Sequence, residues 1–379
     1  MNRLILIEEL IQHMTLSRSE LSRKTGLNKA TVSAQVQDLL DEDIFIEKAD
    51  AGDTTSRGRK PIILEIKGQA GYSVGIDIDE GKFLFILSDL KGRVLYREEQ
   101  PLNNNQLSLV SSEIIDILHP LIQKYNDLYS PHGLVGIGIG VHGIVNRKNE
   151  IVYTPKEKWT KENITQYFEE AFNVETYVDN NANLSVFAEQ VYSEYISDLF
   201  CVTLYTGIGL GIIKNHEIYR GFQGFAGEIG HMIIETNGIQ CTCGNLGCWE
   251  LYASDKALKK KLASVYPLYS DNERLQKMFD HKGDNQYMNE YLLYLAVGLN
   301  NIINIFNPEK LILNSPFLNA HPELIAKVEE KLQSKFNNYQ EIRVSTLGNK
   351  ACALGASALA LKKFLGVNTL IHANYHYQI

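Results

Sequence analysis

The stretch Gly221–Glu250, GFQGFAGEIGHMIIETNGIQCTCGNLGCWE, constrains this chain more than any other. It gathers His231, Cys241, Cys243 and Cys248 into one short segment. One imidazole and three thiols are the donor set of a tetrahedral zinc site. Cys241 and Cys243 stand two apart and cannot share a helix face, so the segment is expected to be a turn-rich knuckle. Gly238, Gly244 and Gly247 supply its tight backbone. Buried apolar thiols are the plainer alternative. A disulfide fits less well, because five cysteines is an odd number and no secretory start is evident. Cys201 and Cys352 lie in apolar runs that read as core.

The acids bracketing the cluster carry equal weight. Glu228 precedes His231 by three residues, and Glu250 follows Cys248 by two. A carboxylate accepts from two hydroxyls at once, which suits a vicinal diol. If one ring nitrogen of His231 binds metal, the other must carry a hydrogen and can donate it. Four protein ligands leave no open position for an activated water. A zinc that holds a histidine and a glutamate toward a polyol is therefore the better reading than a catalytic zinc.

The chain has 379 residues, enough for two or three domains. Its net charge of −8 does not advertise nucleic-acid binding, so any such activity must be local. No apolar run approaches the length of a membrane span. Together with the metal-type cysteines, these features lead us to expect a cytoplasmic protein without membrane contact.

Residues 1–70 read as a separate winged helix-turn-helix. Leu4, Ile7, Leu10 and Ile11 have helical spacing. Ser17 to Glu20 is a capping box opening a second helix, which stops at Gly26. Asn28 caps a third helix with Val32, Val36, Leu39 and Leu40 on one face. The candidate DNA contacts are Arg18, Ser19, Asn28, Lys29, Ala30, Thr31, Ser33 and Gln35, whose short or polar side chains allow close approach in a major groove. Strand-like runs at 44–47 and 61–66 flank the loop AGDTTSRGRK, whose Arg57, Arg59 and Lys60 suit phosphates or a minor groove. A solvated hairpin on a small helical adaptor is the alternative.

From about Gly71 the pattern becomes α/β. Three strands, a helix, the apolar strand at 135–141, a helix, a strand at 175–179 and another helix lead to a second set of the same style. Two related lobes are expected over 71–379, dividing near 185–200 and closing on a cleft.

On these residues the chain resembles the ROK family (repressors, open reading frames, sugar kinases), and within it the sugar-responsive repressors, those for xylose above all. The resemblance covers essentially the whole chain. It is carried by Gly227 to His231, Cys241 to Glu250, Asn180 to Asn183 and Thr206 to Gly211. It implies a two-lobed actin/hexokinase-like fold, a homodimer and zinc on His231, Cys241, Cys243 and Cys248. It also implies sugar contacts from Asn180, Asn181, Glu228, His231 and Glu250.

The departures weigh against the family's kinases. Their first strand ends Asp-x-Gly-Gly-Thr, whose glycines let backbone N–H groups approach ATP phosphates. Here the run is Asp77-Ile78-Asp79-Glu80-Gly81. Their catalytic aspartate matches Asn181, and an amide cannot serve as general base. Their adenosine-side Gly-Gly matches Asn314-Ser315. The resemblance thus implies no catalytic residue. The expected function is a repressor of a sugar-utilisation operon, with xylose the first candidate, released from a palindromic operator when sugar binds. The alternative is a sugar kinase with a fused DNA-binding unit. His142 stands where the family often has Pro, with no evident reason. Trp159 and Trp249 are candidate pocket walls.

Overall fold

The computed structural model describes residues 2–49, 62–280 and 286–372. The chain divides into two compact units. The first takes Met1–Leu184, Gln190–Tyr195 and Cys352–Ile379; the second takes Ser185–Glu189 and Ile196–Ala351.

The first unit begins with helices α1 (Asn2–His13), α2 (Arg18–Thr25) and α3 (Lys29–Asp41). Their local chemistry follows the sequence closely. Ser17 accepts from the Glu20 N–H while Glu20 accepts from the Ser17 N–H, closing the capping box. Gly26 ends α2 at φ +72°, a left-handed stop that favours glycine. Asn28 then caps α3 through the Thr31 N–H at 2.8 Å. Leu6, Ile7, Leu10, Leu21, Val32, Val36 and Leu39 are sealed between the three helices. Strands β1 (Phe45–Ala49) and β2 (Ile62–Ile66) pair antiparallel as the stem of a wing, with Leu64 and Ile66 turned inward. The loop carrying Arg57, Arg59 and Lys60 lies outside the described residues.

There follow β3 (Gly71–Asp79), β4 (Lys82–Asp89), β5 (Val94–Pro101), α4 (Leu107–Leu128), β6 (Gly133–Val141), the small hairpin β7 (Ile144–Val145) and β8 (Ile151–Tyr153), α5 (Thr165–Phe172), β9 (Thr176–Asn180) and α6 (Asn181–Tyr192). The sheet order is β5-β4-β3-β6-β9, antiparallel through the meander and parallel at β3-β6-β9. Glycines 75 and 138 in β3 and β6 let the chain's last helix, Ala351–Leu365, lie directly on the sheet. A Cβ at either would stand within 2.1 Å of the Ala353 or Ala356 carbonyl.

After that helix the chain returns as a strap, 366–372. Val367, Leu370 and Ile371 are buried. Glu8 of α1 accepts from the Asn368 and Thr369 N–H groups at 2.7 and 3.0 Å. Thr369 meets the Tyr195 hydroxyl, and the His372 N–H donates to the Val191 carbonyl of α6. The His132 ring also contacts the Glu42 carbonyl at 2.8 Å. The helix-turn-helix is thus fastened to the first lobe.

The second unit holds β10 (Leu199–Leu204), β11 (Ile208–Lys214), β12 (Glu217–Ile218), α7 (Glu250–Ala253), α8 (Asp255–Val265), α9 (Asp271–Asp280), α10 (Gln286–Phe306), β13 (Lys310–Asn314), α11 (Pro316–Ala320), α12 (Leu324–Glu329) and β14 (Glu341–Val344). Its sheet, β12-β11-β10-β13-β14, repeats the order and directions of the first. The two sheets are thus the related pair the sequence pattern predicts. Trp249 is core rather than pocket wall: it is fully buried, its Nε1 donates to the Tyr294 carbonyl, and its ring lies on Gly298. Trp159 is likewise core in the first unit, donating to the Asn105 carbonyl. Among the described residues no helix is long and apolar enough to cross a membrane.

Candidate functional site

The knuckle is made by backbone reversal rather than by regular structure. The Cys241 N–H donates to the Asn245 carbonyl and the Gly247 N–H to the Ile239 carbonyl, closing a tight loop around the CxC pair. Gly247 has φ +75°, and a Cβ there would stand 1.7 Å from the Glu235 carbonyl oxygen. Only glycine fits. Bridges Ile233–Cys248 and Gln240–Leu246 then bring His231 back over the thiols.

The ligand atoms of His231, Cys241, Cys243 and Cys248 lie within 4.8 Å of one another. His231 Nδ1 is 3.7 Å from Cys241 Sγ, and the Sγ atoms of Cys243 and Cys248 are 3.6 Å apart. A tetrahedron with metal–sulfur bonds of about 2.3 Å has edges of about 3.8 Å. The separations match those edges and are far too long for a disulfide of about 2.05 Å. The donor set therefore fits a small tetrahedral cation. Without one the thiols resist ionising unevenly. Burial pushes Cys248 up to about 12, while the Asn245 N–H draws Cys243 below its ordinary value. A divalent ion reverses the first effect, since a coordinating thiol is deprotonated outright.

His231 faces two ways. Its Nδ1 side looks to the cluster and to Glu250 Oε1 at 3.6 Å, and its Nε2 looks to Glu228 Oε2 at 4.0 Å. Glu250, the first residue of α7, also approaches Cys241 Sγ at 3.4 Å. It has room because residue 207 is glycine: a Cβ there would meet Glu250 Oε2 at 2.8 Å. Glu228 is 42% exposed at its side chain. Desolvation raises its pKa, His231 opposes the shift, and Glu250 adds to it.

Asn180 and Asn181 belong to the first unit, at the junction of β9 and α6. Asn180 Oδ1 accepts from the Ala182 N–H at 2.8 Å, so this residue does cap the helix. Its amide donates to the Gly143 carbonyl at 2.7 Å. Each side of an amide can make a second bond, so capping does not exhaust it. Asn181 reaches His142 Nδ1 at 3.4 Å.

Sequence reasoning gave His142 no role, and the fold supplies its setting. His142 Nε2 is 3.5 Å from Asp77 Oδ1 and 3.9 Å from Asp79 Oδ1. Burial disfavours its charge, but Asp77 and Asp79 outweigh burial and raise its pKa. Lys156 pairs with Asp79 at 3.3 Å and Glu80 at 3.1 Å. Burial also works against ionised Asp79, yet His142, the Glu80 N–H and Lys156 hold its pKa below the ordinary value. Asp79 and Glu80, which stand where the kinases have their two glycines, are thus each met by a cationic side chain. No sequence spacing links His142 or Lys156 to β3. The adenosine-side substitution is equally occupied: Asn314 donates to the Gly348 carbonyl and accepts from the Tyr205 hydroxyl, and Ser315 donates to the buried Asp255.

On the candidate DNA-binding face, Lys29, Ala30 and Ser33 are exposed at the start of α3, as is Ser19. Thr31 and Gln35 are partly covered, and Gln35 bonds Asp38. Arg18 is engaged at home, with Glu47 at 2.9 Å and the Ser33 carbonyl at 3.2 Å. Asn28 serves as the cap already described.

A match to the ROK family covers residues 73–363. A xylose repressor from Bacillus spizizenii is 37% identical over 374 residues, spanning 97% of this chain and 96% of its own. A ROK family transcriptional regulator, a homologue of the E. coli MLC protein, superposes with a TM-score of 0.82 at 20% identity over 96% of both chains. A ROK family glucokinase from Streptomyces griseus, solved with glucose and AMPPNP, aligns with 76% of this chain and 99% of its own at TM-score 0.63 and 24% identity. The structural likenesses establish a shared fold. The chain belongs to the ROK family.

Proposed function

We propose that this chain is a sugar-responsive transcriptional repressor, that its effector is xylose, and that its resident metal is zinc on His231, Cys241, Cys243 and Cys248. The observation that carries the reading is a capped helix-turn-helix with an exposed, short-chained start to α3, fastened to a sugar-family lobe whose phosphotransfer positions are filled. Asn181 offers an amide in place of a base. Asp79 is tied to Lys156 and His142, and Asn314 to Tyr205. Asn181, which stands at the position of the kinases' base, is a neutral amide too weakly basic to take a proton from a hydroxyl.

In this mechanism a homodimer in the cytoplasm sets two α3 helices into successive major grooves of a palindromic operator. Arg18, Ser19, Asn28, Lys29, Ala30, Thr31, Ser33 and Gln35 make up that face, with Arg57, Arg59 and Lys60 on flanking DNA. Glu228 and Glu250 accept from sugar hydroxyls and His231 Nε2–H donates; Asn180 and Asn181 belong to the same set. Zinc, with four protein ligands, supplies orientation and no open coordination position. Sugar shifts the repressor only by its preference for the non-binding arrangement, about 1–3 kcal/mol of coupling.

Operator binding measured by anisotropy, with xylose and glucose titrated in, tests this. Xylose should release the operator, and Glu228→Ala should abolish release while leaving DNA affinity intact. A coupled ADP-release assay over hexoses and pentoses should stay at background; sustained turnover would establish the kinase alternative instead.

A further inference from the structure

We propose that His142 is the residue that limits the effector to a pentose, by occupying the space beside Asn181 that the hydroxymethyl group of a hexose would need. The inference rests on the sugar-site reading above and adds to it a specificity determinant that neither the motifs nor the metal cluster identifies. Xylose and glucose in their pyranose forms differ only at C5, where xylose carries hydrogen and glucose carries CH2OH. A chain that tells them apart must do so at that carbon.

The geometry places His142 there. A base that activates a hydroxyl must lie within hydrogen-bond reach of it. In a hexose kinase phosphorylating the primary hydroxyl, the side chain at the position of Asn181 therefore marks where C6 and its oxygen sit. Here the His142 ring borders that side chain, with Nδ1 at 3.4 Å from the Asn181 amide.

The ring is also held from moving aside. Its Nε2 faces Asp77 at 3.5 Å and Asp79 at 3.9 Å, and Asp79 is itself tied to Lys156 at 3.3 Å. Its side chain is only 18% exposed. The backbone behind it is equally fixed. Asn180 grips the Gly143 carbonyl, and Gly143 lies so close to β8 that a Cβ would meet the Tyr153 carbonyl at 2.4 Å. A rigid group beside a sugar carbon discriminates by exclusion, which selects against the larger ligand more effectively than added attraction selects for the smaller one.

Calorimetric titration of the full-length, metal-loaded protein with xylose, glucose and 6-deoxyglucose tests the proposal. 6-Deoxyglucose keeps the bulk of C6 and loses its hydroxyl. Wild type should bind xylose at least about tenfold more tightly than either hexose, the scale on which a pocket separates ligands by one carbon. His142→Ala should bring glucose and 6-deoxyglucose to within about threefold of xylose, with operator affinity unchanged as the check on folding. Xylose binding with an unchanged preference in His142→Ala would overturn this inference and leave the sugar-repressor reading standing. Wild type taking 6-deoxyglucose as well as xylose would overturn it without any variant, even if His142→Ala failed to fold. Wild type binding none of the three would remove both the inference and the reading beneath it.

Discussion

Replacing Gly207 by alanine isolates the sugar grip from everything else the knuckle does. The added methyl would sit 2.8 Å from Glu250 Oε2, and the next nearest heavy atom, also of Glu250, is at 3.9 Å. The methyl therefore meets one carboxylate and no backbone. Relief requires that oxygen to retreat from 2.8 Å to an ordinary contact of at least 3.4 Å. Gly207 is absent from the positive-φ glycines, so alanine strains nothing locally. A shift of that size breaks the alignment of a hydroxyl-to-carboxylate bond. Such bonds contribute about 1.5–3 kcal/mol, so sugar affinity should fall roughly ten- to a hundredfold. Metal content, melting temperature and operator affinity should stay at wild-type values. The assay is calorimetric titration with xylose, run beside Glu250→Ala as the full-loss reference. Wild-type xylose affinity in Gly207→Ala, with Glu250→Ala deficient, would refute the claim that the Glu250 position is set by the absent side chain at 207.

Other perturbations separate the remaining parts. Cys243→Ser should lose bound zinc, read by elemental analysis, and with it the sugar response, because His231 and Glu250 lose their anchor; a zinc-free variant that still answers xylose would refute the coupling. His372 is buried, and burial lowers its pKa to about 3. Since the unfolded chain binds that proton near pH 6.5, the histidine's contribution is complete above pH 6.5 and is lost as pH falls toward 3, by about 1.4 kcal/mol per unit. Urea midpoints at pH 7.5 and 5.5 should therefore converge for His372→Phe relative to wild type. Glu8→Ala removes two charge-assisted bonds and should speed hydrogen exchange at Asn368 and Thr369 by about tenfold or more, on about 1.5–3 kcal/mol per bond.

What was legible in the sequence was whatever depends on neighbours in the chain. The capping box at Ser17, the Asn28 cap and the left-handed stop at Gly26 are local chemistry, and each stands as read. The knuckle was legible because its four donors fall within eighteen residues, His231 to Cys248. The repeated sheet order followed from the repeated strand and helix pattern. The tryptophans were not legible, because a pocket wall and a core filler share a composition; only the Tyr294 and Asn105 carbonyls decide between them. The same holds for the carboxylates at the end of β3. Asp79 and Glu80 read as bare negative charge because the cations that face them lie 63 to 77 positions away, at His142 and Lys156. That Gly207, forty-three positions before Glu250, vacates the space the Glu250 carboxylate takes was likewise not legible.

Helix α6 starts with Asn181 and ends at Tyr192, so it is a rod of roughly 18 Å. At its near end stands a residue assigned to the effector. Its far end is hooked, through Val191 and Tyr195, to a peptide that Glu8 of α1 holds by two N–H groups. A displacement at Asn181 would reach the first helix of the DNA reader through α6, the 366–372 strap and the hydrogen bonds that pin that strap to both.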